Sequence, residues 1–136
     1  MQNWFIFAIL ALLFYGLWGF FPKMATLHLD AKSILFYETL GIIVIAILMY
    51  FFLPGKLHTN TKGVVFSVLT GIAGMVGTLF FLLALKNGKA SVIILFTALY
   101  PLVSVMLVQL ILRESITLKQ GIGMVFAIVA IVLFSG

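Results

Sequence analysis

The chain has three acidic side chains, Asp30, Glu38 and Glu114, and only Glu38 falls within a long apolar run. An ionisable carboxylate inside a membrane-length segment is costly, faces protein or water rather than lipid, and marks a functional site by default. Glu38 lies about one and a half helical turns, roughly 8 Å, past the start of its run. Lys23 is the natural counter-charge, because it stands a similar distance on the other side of the intervening turn. An antiparallel hairpin would bring the two to comparable depth. Three arrangements stay open. The pair could be a salt bridge that fixes two helices. The carboxylate could bind a proton in exchange for a cationic or amine-bearing substrate. Or Glu38 could snorkel to the surface without a partner.

Two further groups could shape a ligand chamber. Tyr15 and Trp18, next to Gly16 and Gly19, put two amphipathic rings deep in the first apolar run. There they could wall a pocket or pack against a neighbouring helix. Thr97, Tyr100 and Pro101 fall together in the middle of the fourth run. Proline removes a backbone donor and frees the carbonyl one turn earlier, here that of Thr97. Broken backbone at membrane depth is tolerated where it lines a cavity or is covered by protein. A tyrosine hydroxyl beside such a kink is a setting in which transporter sites are built. Tyr15, Trp18, Glu38, Thr97 and Tyr100 are therefore the candidate substrate contacts. Lys23 with Glu38 is the candidate ion pair or coupling element, and Pro101 the candidate hinge.

Other chemistry is poorly served. There is no cysteine, and His28 and His58 sit in different connections, so neither a metal cluster nor a catalytic triad can be assembled. No cofactor and no enzymatic activity are expected. Glu114 precedes the fifth apolar run, where a negative charge suits a helix start, and it adjoins Arg113.

The elements that must position these residues follow from composition. Apolar residues make up 65% of the 136 and charged ones 8%, far below the charge content of a soluble domain. A bilayer core takes roughly 20 apolar residues per helix, so the chain reads as an all-α, polytopic membrane protein of five spans, at about residues 4–27, 33–53, 63–85, 91–112 and 118–134. No signal-peptide pattern opens it, so Trp4 begins a first span. Pro54-Gly55 stop the second span, and Thr59, Asn60 and Thr61 each offer a cap for the third. Asn87-Gly88 suit a left-handed C-cap, and Thr117 with Gln120 has capping-box spacing. Gly71, Gly74 and Gly77 form a smooth stripe where another backbone could approach or a cavity open. Gly123 and Ala127 give the fifth span a small-residue face. The chain reads as a single unit.

The basic residues lie near the ends of the runs. Five spans put Lys56, Lys62, Arg113 and Lys119 on one side of the membrane and Lys23, Lys32, Lys86 and Lys89 on the other. Orientation follows the Lys/Arg excess on cytoplasmic loops, and here there is no excess. The chain could insert both ways up, or insert one way through the order of its spans. No continuous basic face exists for nucleic acid. The partners expected are the lipid bilayer, a small-molecule substrate and a second copy of the chain.

Several stretches resemble the EamA domain of the drug/metabolite transporter superfamily. They are Tyr15-Gly-Leu-Trp-Gly-Phe-Phe-Pro-Lys-Met-Ala25, Leu83-Ala-Leu-Lys86, Tyr100-Pro101, and Glu114 followed by Gly121. The resemblance covers essentially the whole chain and is most specific from Phe81 onward. It implies one half of a ten-helix inverted repeat, similar to the five-span half-length transporters. The small multidrug resistance proteins, four-span relatives that pair antiparallel, carry a carboxylate in their first span. Here the membrane carboxylate is in the second. The implied function is a secondary transporter of small metabolites or amphipathic and cationic compounds. It would work by alternating access as an antiparallel homodimer in the plasma (inner) membrane. A lipid-carrier flippase subunit and a non-transporting subunit of a larger complex are the alternatives.

Overall fold

Long apolar runs leave the backbone few ways to satisfy its polar groups in lipid, and helix is the local one. The computed structural model describes residues 4–135, and among them there are helices and no strand. The helices are α1 (Trp4–Ala25), α2 (Ala31–Phe52), α3 (Thr61–Asn87), α4 (Ala90–Thr97), α5 (Tyr100–Leu112) and α6 (Leu118–Ser135). The stretch Ala90–Leu112, α4 with α5, is one apolar span, so among the described residues four spans are long and apolar enough to cross a membrane. The apolar helix α6 has 18 residues; it would extend about 27 Å, just short of a ~30 Å hydrocarbon core. The architecture is that of a polytopic, all-α membrane protein with five apolar helical segments.

The helix ends show which local signals act. α1 stops at Ala25, short of the expected Leu27, and a turn follows in which Leu29 N–H donates to Ala25 O at 2.9 Å. The Ser33 hydroxyl donates to Asp30 Oδ1 at the start of α2 and holds that exposed carboxyl below its ordinary pKa. Asn60 is the residue that caps α3, accepting from Gly63 N–H at 3.2 Å. The capping box of α6 is reciprocal. Thr117 N–H donates to Gln120 Oε1 at 2.8 Å, and Gln120 N–H donates to Thr117 Oγ1 at 3.3 Å.

The left-handed positions are not where Gly88 suggested. Among the described residues they are Gly55 (φ 119°), after the Pro54 stop, and Arg113 (φ 56°), at the end of α5. Arginine there allows the short connection into α6 at a conformational cost that glycine would avoid.

The chain falls into two units, one through Lys86 and one from Asn87. In the first unit α1 and α3 run parallel and α2 runs against both, because contacts match Trp18 with Phe81, Lys23 with Leu85, and Thr39 with Met75. Burial is confined to one end. Gly19, Pro22, Ile34, Thr78, Phe81, Leu82 and Leu85 are buried, whereas every residue from 40 to 74 is exposed. Lipid is as apolar as leucine, so helices in it are held by packing and hydrogen bonds rather than by a hydrophobic force. The packed end is where those contacts lie.

In the second unit α4 packs against α6. The span expected to be one kinked helix is broken. Pro101 lies in the first turn of α5, and Ala98 and Leu99 form a tight turn in which Leu99 N–H reaches only back to Phe96 O, at 3.2 Å. The missing proline N–H is the physical reason: the Thr97 carbonyl has no donor one turn ahead.

The packed end predicts a contrast between two leucines. Leu85 is fully buried and Leu110 is 73% exposed. Leu85→Ala should destabilise detergent-solubilised protein by about 2 kcal/mol, the low end of the core range because lipid or detergent replaces water. Leu110→Ala should leave the thermal midpoint unchanged, which a melting curve of both variants checks.

Candidate functional site

Glu38 sits seven residues after Ala31, the start of α2, a depth of about 10 Å. Its partner is Trp18 of α1, whose indole Nε1–H donates to Glu38 Oε1 at 3.0 Å. The indole is held in turn by Phe81 of α3, stacked on it with ring centroids 5.7 Å apart and planes 14° from parallel. The offset-stacked arrangement is the favoured one for aromatic pairs. One residue from each helix of the first unit therefore meets at this point. Gly19 and Pro22, both buried on α1, follow Trp18 within a turn.

The other carboxylate oxygen, Glu38 Oε2, is buried and has no hydrogen-bond partner. Buried polar atoms in proteins are nearly always paired, because an unpaired one keeps its full desolvation penalty. This oxygen is open to a proton or to a cationic group.

Lys23 does not supply that cation in this structure. Its ammonium donates to the Leu85 carbonyl at 3.3 Å, near the end of α3. Carbonyls in a last helical turn lack an intrahelical donor and carry partial negative charge, so a lysine is well placed there. The expected Lys23–Glu38 ion pair is thus replaced by two bonds to neutral groups: ammonium to carbonyl, and indole to carboxylate. Lys23 lies in the last turn of α1, two residues before its end, while Glu38 is further from the end of its own helix. The depth match anticipated from a longer α1 is lost.

The remaining candidates divide between the units. Tyr15 is one turn before Trp18 on α1 and is exposed. In the second unit the Thr97 hydroxyl donates to the carbonyls of Ile93 and Ile94, at 2.8 and 3.0 Å. Its proton is committed, which leaves Thr97 only as an acceptor. Tyr100, after the break, is exposed. A cleft of about 560 Å³ in the second unit is lined by residues that include Gln109, Glu114, Gln120 and Gly123, and by none of the candidate contacts. The glycine stripe makes no close approach: a Cβ added at Gly71, Gly74 or Gly77 would meet nothing within 4 Å. Among the described residues no three His, Cys, Asp or Glu gather into a possible metal site.

Phe81 is the site residue that inspection of the sequence missed. The signal was available, since Trp18 and Phe81 lie seven and six residues from the ends of α1 and α3. Two helices separated by one antiparallel span place such residues at one depth.

The model of the EamA-like transporter family matches residues 2–136. The uncharacterized protein MJ1333.1 of Methanocaldococcus jannaschii is similar, with 29% identity over 135 residues that cover 99% of this chain and 98% of that protein. No solved structure matches the chain.

The indole–carboxylate bond can be measured directly. Trp18→Phe keeps a ring against Phe81 but removes the N–H, and should cost about 1.5–3 kcal/mol, the range for a hydrogen bond to a charged group. In a double-mutant cycle with Glu38→Leu the two changes should be strongly non-additive. Additive losses in denaturation midpoint would mean that the bond contributes nothing.

Proposed function

The chain belongs to the EamA-like transporter family, and from that premise we propose that it is a secondary transporter working as an antiparallel homodimer in the plasma membrane. Membrane transport and a multi-pass topology come with the family. The substrate class we propose is small metabolites or amphipathic and cationic compounds. Tyr15, Trp18 and Glu38 are the proposed contacts in the first unit. Thr97 and Tyr100, beside the break at Pro101, are proposed as further contacts, with Pro101 as the hinge.

The observation that carries the dimer is the charge balance. The basic residues lie at or near the helix ends, four on one side and four on the other, or three if Lys23 in the last turn of α1 is set aside, and this near balance gives the chain little preferred orientation, so one gene can supply both halves of an inverted repeat. Such repeats transport by rocking one half against the other around a fixed site. The open glycines of α3 support this reading, since small residues let a second helix approach closely. Glu38 would exchange a proton for the substrate's positive charge, because its buried oxygen cannot stay unpaired without cost.

Two measurements test the proposal. Reporters of each compartment fused to the C-terminus should both be active in cells, and activity of one alone would contradict insertion in both orientations. In proteoliposomes tested with a panel of amines and amino acids, wild-type protein should accumulate at least one amine in response to a pH gradient, and Glu38→Gln should lose that response. A Glu38→Gln variant with normal, pH-responsive uptake would remove the carboxylate from the mechanism.

A further inference from the structure

The cleft in the second unit takes no part in the proposed transport site, and its lining has a direction. Its volume is about 560 Å³, within the ~300–1,000 Å³ range of ligand pockets. The polar groups gather at one end: Gln109, Glu114, Ser115 and Gln120 line it within a turn of the α5–α6 connection. From there to Leu102 on α5 and Ala127 on α6 the lining is apolar, apart from Ser104, whose hydroxyl donates to Tyr100 O at 3.3 Å. Leu102 lies ten residues before the end of α5 and Ala127 nine after the start of α6, so the cleft follows the helices for roughly 15 Å. That is half of a ~30 Å hydrocarbon core, the depth of one lipid leaflet. A helix from a second copy would cross the whole core, and a water-soluble ligand would meet polar groups at one end only. A lipid, with its headgroup at the connection and an acyl chain along the two helices, matches both the length and the gradient.

Charge complementarity selects the headgroup. Among the described residues Glu114 is the one charged side chain that lines the cleft. It is exposed and makes no hydrogen bond or ion pair there, not even with the adjacent Arg113. Gln120 commits its Oε1 to Thr117, which leaves its amide N–H groups as donors. We propose that this cleft binds a phospholipid with a primary-amine headgroup, phosphoethanolamine by chemical class. The ammonium would donate to the Glu114 carboxylate, a charge-assisted hydrogen bond, and the phosphate would accept from the Gln120 amide and the Ser115 hydroxyl. A quaternary ammonium has the charge but no N–H to donate. An anionic headgroup without an amine meets the carboxylate with like charge. The inference stands apart from the transporter reading and holds whether or not the chain moves a substrate.

Native mass spectrometry of the purified, delipidated protein reads lipid retention directly, with dioleoyl phosphatidylethanolamine, phosphatidylcholine and phosphatidylglycerol as probes. The ethanolamine lipid should bind about tenfold or more tightly than the other two, the least expected from a hydrogen bond to a charged group. Glu114→Gln should erase that preference and Glu114→Asp should keep it; the position is exposed, so neither change disturbs packing. Ala127→Phe fills the apolar end and should weaken retention of all three lipids. Free phosphoethanolamine, which has no tail for the cleft, should not displace the ethanolamine lipid. The proposal is overturned if the wild type retains the three lipids equally, if Glu114→Gln leaves the preference intact, or if Ala127→Phe leaves retention unchanged. An Ala127→Phe variant that keeps its lipid but loses self-association would assign the cleft to a second copy of the chain instead.

Discussion

A carboxylate about 10 Å deep in an apolar span can persist only if something other than lipid faces it. In this chain that something is the indole of Trp18, and the bond between them organises the packed end of the first unit. Phe81 fixes the indole plane, Gly19 and Pro22 are buried just beyond it, and Ile34 and Thr78 fill in from the other two helices. The bond is also incomplete. It satisfies one oxygen and leaves its neighbour buried and bare. A site that was only structural would be expected to pair both, since the unpaired atom keeps its desolvation penalty without a compensating bond. The incompleteness is the observation that motivates the proposed proton exchange at Glu38.

Away from that end the first unit makes little of its own packing. Every residue from 40 to 74 is exposed, and Gly71, Gly74 and Gly77 of α3 face open space. In water such a surface would aggregate. In a bilayer it is satisfied by lipid tails or by another helix, which the proposal above assigns to a second, inverted copy. The second unit holds a different device. A single proline divides an apolar span into α4 and α5, and Thr97 turns its hydroxyl back onto the carbonyls of Ile93 and Ile94. That hydroxyl supplies two carbonyls of the preceding turn with an extra donor beside the break, as polar side chains do in interrupted membrane helices.

Much of this was legible in the sequence because membrane helices are written in coarse terms: apolar length, charge at the ends, and a few capping residues. The Thr117–Gln120 box, the Pro54-Gly55 stop and the Pro101 disruption all follow from local chemistry and appear in the structure. What was not legible depends on which faces meet. The runs are apolar all round, so no periodicity marks an inner face, and charge alone suggested Lys23 for Glu38. A last-turn carbonyl on α3 took the lysine, and an indole took the carboxylate. Neither acceptor nor donor is visible in a list of charged residues. The left-handed Arg113 was equally hidden, because a turn's conformation is set by the two helices it joins and not by the residue that suffers it.

On the function proposed above, one chain is half of a transporter, completed by its own inverted copy. The chain has no cysteine, so single thiols can be placed cleanly at His58→Cys, between α2 and α3, and at Gly88→Cys, between α3 and α4. Those connections lie on opposite sides of the membrane within one chain. The direct measurement is thiol cross-linking with a short bifunctional reagent after co-expressing the two variants. An antiparallel pair predicts products joining the position-58 thiol of one protomer to the position-88 thiol of its partner, and none joining like positions. Efficient 58-to-58 and 88-to-88 products, with no mixed ones, would mean that the subunits point the same way.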